Sequence, residues 1–198
     1  MALEEVLELK GDETVLDFGC GSGRFSFWIA SKVKKVIGLE ITPEMIDLAK
    51  EHQTHENVEF ILYDGVHFPS LPYTFDLILS VGVLQIMRGE VLKEAVLQLA
   101  HYLKPGGRLY LIEQATDNSK VDRPSVREYL DAFDLSKMEC LQHYPIRKGR
   151  GWLLYLMRYG VIPEKSFLGI AKNEILRCRE EKQAISYYRD YLFILRKT

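Results

Sequence analysis

The chain has 198 residues, 47% of them apolar, with 26 basic and 28 acidic side chains and a formal net charge of −2. That length and apolar content suit one folded domain with a single sizeable core. Its three cysteines, with no paired spacing, argue against a disulfide framework and a zinc cage, and no segment approaches the length of a membrane span. The opening Met1-Ala2-Leu3-Glu4-Glu5 is acidic where a secretory leader needs a basic region, so a cytoplasmic protein with no bound metal is expected.

A first strand, predicted at about 14–18, runs through Val15-Leu16-Asp17-Phe18 into Gly19-Cys20-Gly21-Ser22-Gly23, and a helix follows at about 23–33. Three glycines at alternate positions let the backbone pass close to a ligand, because no Cβ intervenes and positive φ costs little. The start of the helix adds unpaired N–H groups and a partial positive charge. A dinucleotide fingerprint wants its third glycine three residues after the second. Here that place is held by Arg24, the third glycine comes two residues after the second, and Asp17 precedes the first by two. Cys20 is expected to pack beneath the ligand.

A second strand at about 35–40 ends in Glu40, 23 residues after Asp17, where an acid can accept hydrogen bonds from both hydroxyls of a ribose. Thr42 and Pro43 then read as N-cap and first residue of a helix at about 43–53. A third strand at about 58–63 leads to Asp64-Gly65, a fourth spans about 75–81, and a helix at about 89–103 turns through Lys104-Pro105-Gly106-Gly107 into a fifth strand at about 108–114. Pro124 to Leu130 starts another helix with Asp122 or Arg123 near its cap, and a sixth strand is predicted at about 138–146. The last strand is read over Tyr187 to Arg196, rich in aromatic and branched residues.

Asp17-x-Gly19-x-Gly21-x-Gly23 resembles the first motif of the class I S-adenosylmethionine-dependent methyltransferases, and the later signals follow in that family's order over residues 5–115. The resemblance implies an α/β, Rossmann-like, seven-stranded and mostly parallel sheet with helices on both faces. Its C-terminal strand would be antiparallel, inserted between the fifth and sixth. It implies S-adenosylmethionine (SAM) as cofactor and S-adenosylhomocysteine (SAH) as product. The cofactor set it assigns is Asp17, Gly19, Gly21, Gly23 and Arg24 around the methionine tail, with Glu40 on the ribose. Ile41 and Met45 would flank the adenosine, Asp64 and Gly65 would meet the adenine, and Ser80 and Gln85 would close the cleft end.

The fourth strand ends in Ser80-Val81-Gly82-Val83, not in the Asn-Pro-Pro-Tyr motif common in enzymes that methylate nucleobase or glutamine amino groups, and the chain has no Pro-Cys pair for pyrimidine attack. Val83-Leu84-Gln85 resembles small-molecule methyltransferases, many of which have histidine where Gln85 stands. Glu113 and His143, near the ends of the fifth and sixth strands, are the ionisable residues that topology offers as catalytic groups.

About 40 residues separate the last two strands, and they leave from the carboxyl end of a parallel strand, at the ligand rim. Residues 147–182 are therefore expected to form a helical cap within a single domain spanning 1–198. Trp152, Tyr155 and Tyr159 would give apolar walls, and an amphipathic helix would begin at Pro163. From Arg147 to Thr198 there are twelve basic and five acidic residues, against fourteen and twenty-three in the rest. That asymmetry suits an anionic acceptor, or solvated helix faces; Arg147-Lys148-Gly149-Arg150 beside the Trp152–Met157 run also suits contact with a membrane surface. The resulting expectation is methyl transfer to an oxygen or nitrogen of a small-molecule or glycan-like acceptor, with nucleic acid not an expected partner. The alternatives are a protein or RNA methyltransferase docking through the basic segment, and a SAM-binding partner subunit without catalysis. Oligomeric state stays open.

Overall fold

The computed structural model describes residues 6–148, 163, 166–180 and 188–198. Strand β1 (Thr14–Phe18) leads to helix α1 (Arg24–Ala30), then β2 (Lys35–Glu40), α2 (Pro43–Glu51), β3 (Val58–Leu62) and β4 (Phe75–Val81). A single 3-10 turn (Leu84–Ile86) precedes α3 (Gly89–Tyr102), β5 (Leu103–Ala115), α4 (Val126–Leu135), β6 (Met138–Lys148), α5 (Phe167–Glu180) and β7 (Arg189–Lys197). The seven strands form one sheet in the order β3-β2-β1-β4-β5-β7-β6. β1 to β5 pair in parallel, and β7 runs antiparallel between β5 and β6. This is the architecture that the motif order predicts.

Strand residues alternate between two apolar layers, as the two-residue period of a pleated strand requires. Leu16, Phe18, Ile78, Leu109, Leu111 and Phe193 face one side and pack with Leu92, Val96 and Leu99 of α3 and Tyr129 and Phe133 of α4. Val15, Val36, Leu77, Leu79, Tyr110 and Leu192 face the other and pack with Ile29 of α1 and Ile46 and Ala49 of α2. Burying both faces is why these strands read as nearly continuous apolar runs.

Several boundaries differ from expectation. β5 starts at Leu103, because Lys104-Pro105-Gly106-Gly107 is absorbed into a bulged strand entry opposite Phe75–Leu77. The cap of α4 is Ser125, not Asp122 or Arg123: its hydroxyl accepts the Glu128 N–H while the Glu128 carboxylate accepts the Ser125 N–H, a reciprocal capping box. Thr42 holds the N-cap position of α2 without a side-chain capping bond, and its own N–H donates to the Glu40 carboxylate. α5 begins at Phe167 and buries Cys178. Trp152, Tyr155, Tyr159 and Tyr187 lie outside the described residues. Among the described residues, no helix is long and apolar enough to cross a membrane.

Candidate cofactor cradle and adjoining cleft

The glycine turn is tied to the end of β2. Gly19 and Cys20 N–H both donate to the Leu39 carbonyl, at 2.8 and 2.9 Å, and Gly21 N–H donates to Glu40 Oε2 at 3.0 Å. Gly19, Gly21 and Gly23 all have positive φ, between 54° and 83°. Their surroundings differ. A Cβ on Gly19 would lie 2.2 Å from Val83 Cγ2, and one on Gly23 would lie 2.8 Å from the rings of Phe27 and Phe60. A Cβ on Gly21 would meet nothing within 4 Å. Internal packing therefore demands two of the glycines, while the third faces open space.

Asp17 is 2% exposed beneath this turn, and Ser26 Oγ donates to its Oδ2 at 2.6 Å. Burial pushes its carboxyl up to about 6, although the Ser26 hydrogen bonds oppose the shift. A cation arriving above it would reverse that cost. Glu40 is half-buried, and its other oxygen accepts the N–H groups of Ile41 and Thr42 at 2.9 and 3.0 Å. Beyond Glu40, Ile41 is 55% exposed, and a Cβ on Gly65 would touch its Cγ2 at 3.4 Å. Met45 is exposed nearby in sequence on the first turn of α2. Asp64 Oδ1 accepts the N–H groups of Val66 and His67, and Oδ2 meets His67 Nδ1 at 2.8 Å. Those bonds, the His67 side chain foremost, pull the Asp64 carboxyl down to about 2. His67 is thus the partner of Asp64.

A cleft of about 380 Å³ opens next to the turn, between α1 and α5 and over the carboxyl ends of the sheet. Its apolar lining comes from Phe25, Val81, Ile112, Ile146, Ala171 and Ile175. Its charged groups are Arg24, Arg147, Glu174 and Asp190, two of each sign, so the lining itself does not favour an anion. Among the described basic residues of the C-terminal quarter, two are engaged away from the cleft: the Arg179 guanidinium lies 3.6 Å over the Tyr144 ring, and Arg196 pairs with Glu139 at 2.6 Å.

Of the residues predicted for the site, Arg24 and Gln85 line this cleft, Gly21 is bonded to Glu40, and Gly65 lies against Ile41. Glu113, Ser80 and His143 do not reach the cleft. Glu113 is buried under the 3-10 turn, where its carboxylate accepts Val83 N–H (3.1 Å), Gln85 N–H (3.0 Å) and the Ser80 hydroxyl (3.3 Å). Burial raises this carboxyl to about 8. Its neighbours Ile112 and Gln114 line the cleft, so Glu113 points to the α3–α4 side. His143 is exposed on that side too, its ring stacked on Phe193 at 6.1 Å, whereas Ile146 and Arg147 of the same strand reach the cleft. Sequence reasoning missed Gln114 and Asp190 altogether. The signal was present in the alternation of β5 and β7, once the face of one residue on each is known.

Residues 15–107 match the family model described as "Methyltransferase domain". A methyltransferase of Streptomyces halstedii, GfsG, is 30% identical over 118 residues, covering 56% of this chain and 41% of that protein. The protein-L-isoaspartate O-methyltransferase of Myxococcus xanthus is 35% identical over 113 residues, covering 55% and 49% respectively. The chain thus spans less than half the length of these curated relatives. A crystal structure of a candidate methyltransferase from Bacillus halodurans C-125 superposes with a TM-score of 0.72 at 20% identity, over 99% of this chain and 97% of that one. At that identity the likeness shows the fold.

Proposed function

We propose, since the chain belongs to the class I S-adenosylmethionine-dependent methyltransferases, that it transfers the SAM methyl group to an oxygen or nitrogen of a small molecule seated in the cleft. The observation that carries this reading is Gly21: a positive-φ glycine with open space where its Cβ would stand, its N–H held by Glu40, three residues before the Arg24 that lines the cleft. The residues fit the cofactor. Asp17 under the turn suits the ammonium of the methionine tail, Glu40 suits the ribose hydroxyls, and Ile41 and Met45 with Asp64-Gly65 suit the adenine. SAM supplies a methyl group on a sulfonium, which is electrophilic without further activation.

The chain's own part is to hold the acceptor in line and keep water out. Phe25, Ile112, Ile146 and Ile175 serve as apolar walls, and Gln85 is fixed at the mouth by its Oε1, which accepts the Gln114 N–H at 3.2 Å. A cleft of about 380 Å³ falls in the size range of small-molecule sites, roughly 300–1,000 Å³, and this favours a small acceptor over a polymer. Glu113 acts here as a positioning residue that shapes the turn carrying Gln85, not as a base. Residues 147–182 remain the proposed cap, with α5 as its inner wall.

Calorimetry with SAH, SAM and NAD tests the cofactor reading; binding of NAD with no SAM binding would overturn it. Transfer of labelled methyl to a panel of small alcohols, amines and carboxylates, alongside peptide and RNA, tests the acceptor class. Label appearing only in peptide or RNA would replace the small-molecule reading.

A further inference from the structure

Gln114, Asp190 and Arg147 are cross-strand partners on β5, β7 and β6, and all three line the cleft. Asp190 is 5% exposed, so it sits at the floor of the cleft, not at its rim. The Arg147 guanidinium pairs with Asp190 Oδ2. Asp190 Oδ1 is buried and has no hydrogen-bond partner among the described residues, and the same holds for Arg147 Nε. Half of this carboxylate is therefore desolvated without compensation, a state that buried polar groups rarely occupy. Burial raises the Asp190 carboxyl, and Arg147 only partly offsets the rise.

Six apolar side chains line the cleft that holds this carboxylate, and the charges lining it balance. The ligand that completes it has an apolar body of limited size and brings a hydrogen-bond donor. We infer that Asp190 reads the acceptor, its Oδ1 accepting a hydrogen bond from a hydroxyl or amine N–H on the molecule held in the cleft. The inference rests on the cleft being the acceptor site. It makes the acceptor a donor-bearing molecule and not an anion, because an anionic oxygen beside Oδ1 would be repelled.

The test uses the protein saturated with SAH and labelled at isoleucine methyl groups, so that Ile112, Ile146 and Ile175 report on the cleft. Benzyl alcohol, benzylamine and benzyl methyl ether serve as probes of similar size, differing in the donor. The alcohol or the amine should bind at least about tenfold more tightly than the ether, since hydrogen bonds to a charged group exceed that threshold. Asp190→Asn should narrow the gap, and the double variant Arg147→Met with Asp190→Val, which removes both buried partners together, should abolish it while SAH affinity is unchanged. Equal binding of alcohol, amine and ether to the wild type would overturn the inference. So would a gap that survives in the double variant, or the absence of any isoleucine shift. Loss of SAH binding to the wild-type protein is a different failure, and it would strike the methyltransferase reading itself.

Discussion

Gly19 and Gly21 share a positive φ, yet alanine at each should fail in a different way. At Gly19 the new Cβ meets Val83 Cγ2 at 2.2 Å, so Gly19→Ala should lower stability by several kcal/mol through overpacking and strain. At Gly21 the Cβ enters open space, so the loss of stability should stay near the cost of left-handed backbone, roughly 1–2 kcal/mol. SAH binding should nevertheless fall at least tenfold, because the methyl occupies the cradle. Denaturant melts beside calorimetry would check the pair; equal SAH affinity for Gly21→Ala and wild type would sink the cradle. Glu40→Ala should weaken SAH by about 1.5–3 kcal/mol, and Glu40→Gln by less, since one acceptor oxygen survives. The alanine variant also releases the Gly21, Ile41 and Thr42 N–H groups, so a smaller loss than for glutamine would be inconsistent with this geometry. The glycine positions of the proposed cradle are read from local spacing after Asp17, and Glu40 and Asp64 from their places after successive strands. Glu113 and His143 were misread because topology gives the strand end, while a single residue of pleat decides the face.

At the scale of elements, the 3-10 turn after β4 hangs on one buried carboxylate. Glu113 accepts Val83 and Gln85 N–H, Val83 abuts Gly19, and Gln85 reaches the cleft, so this side chain joins the cradle to the acceptor site. Its carboxyl rises from 4.5 to about 8, and a raised folded value stabilises most at low pH and is lost as pH rises through it. Stability should therefore decline between about pH 4.5 and 8, with a slope of up to about 1.4 kcal/mol per pH unit. Asp17 adds in the same direction between 3.8 and about 6. Glu113→Gln should flatten the decline above pH 6; urea midpoints from pH 5 to 8 that run parallel for the two proteins would refute this. Helix α4 shows the limit of reading caps from sequence. Ser125-x-x-Glu128 is a capping box, but the neighbouring Asp122 and Arg123 drew the boundary away from it.

For the whole molecule, the order of strands and helices was legible because each buried strand is a separate apolar run and most connections carry a helix, the crossing from β3 to β4 being the exception. The place of β7 was not contained in its own residues; the family resemblance supplied it. Lys148 and Arg189 are direct partners across β6 and β7, so a two-residue turn can in principle replace residues 149–188. Such a variant should bind SAH within about tenfold of wild type, roughly 1.4 kcal/mol, yet lose methyl transfer. It must first unfold cooperatively, because α5 covers β6; normal turnover in a folded variant would make the segment an appendage. The central place of β7 also bears on how the chain is made. Among the described residues β6 pairs only with β7, and β5 has β7 as one of its two neighbours, so a nascent chain that has not yet emitted residues 189–197 has a sheet of five strands with β5 as a bare edge. β6 must wait, synthesised but unpaired, while the intervening 40 or so residues leave the ribosome. An unsatisfied apolar edge such as Leu109-Tyr110-Leu111-Ile112 is a template for another chain. Stalled or truncated products of this protein should therefore aggregate before they are degraded, and the chain should resist protease only once β7 has joined the sheet.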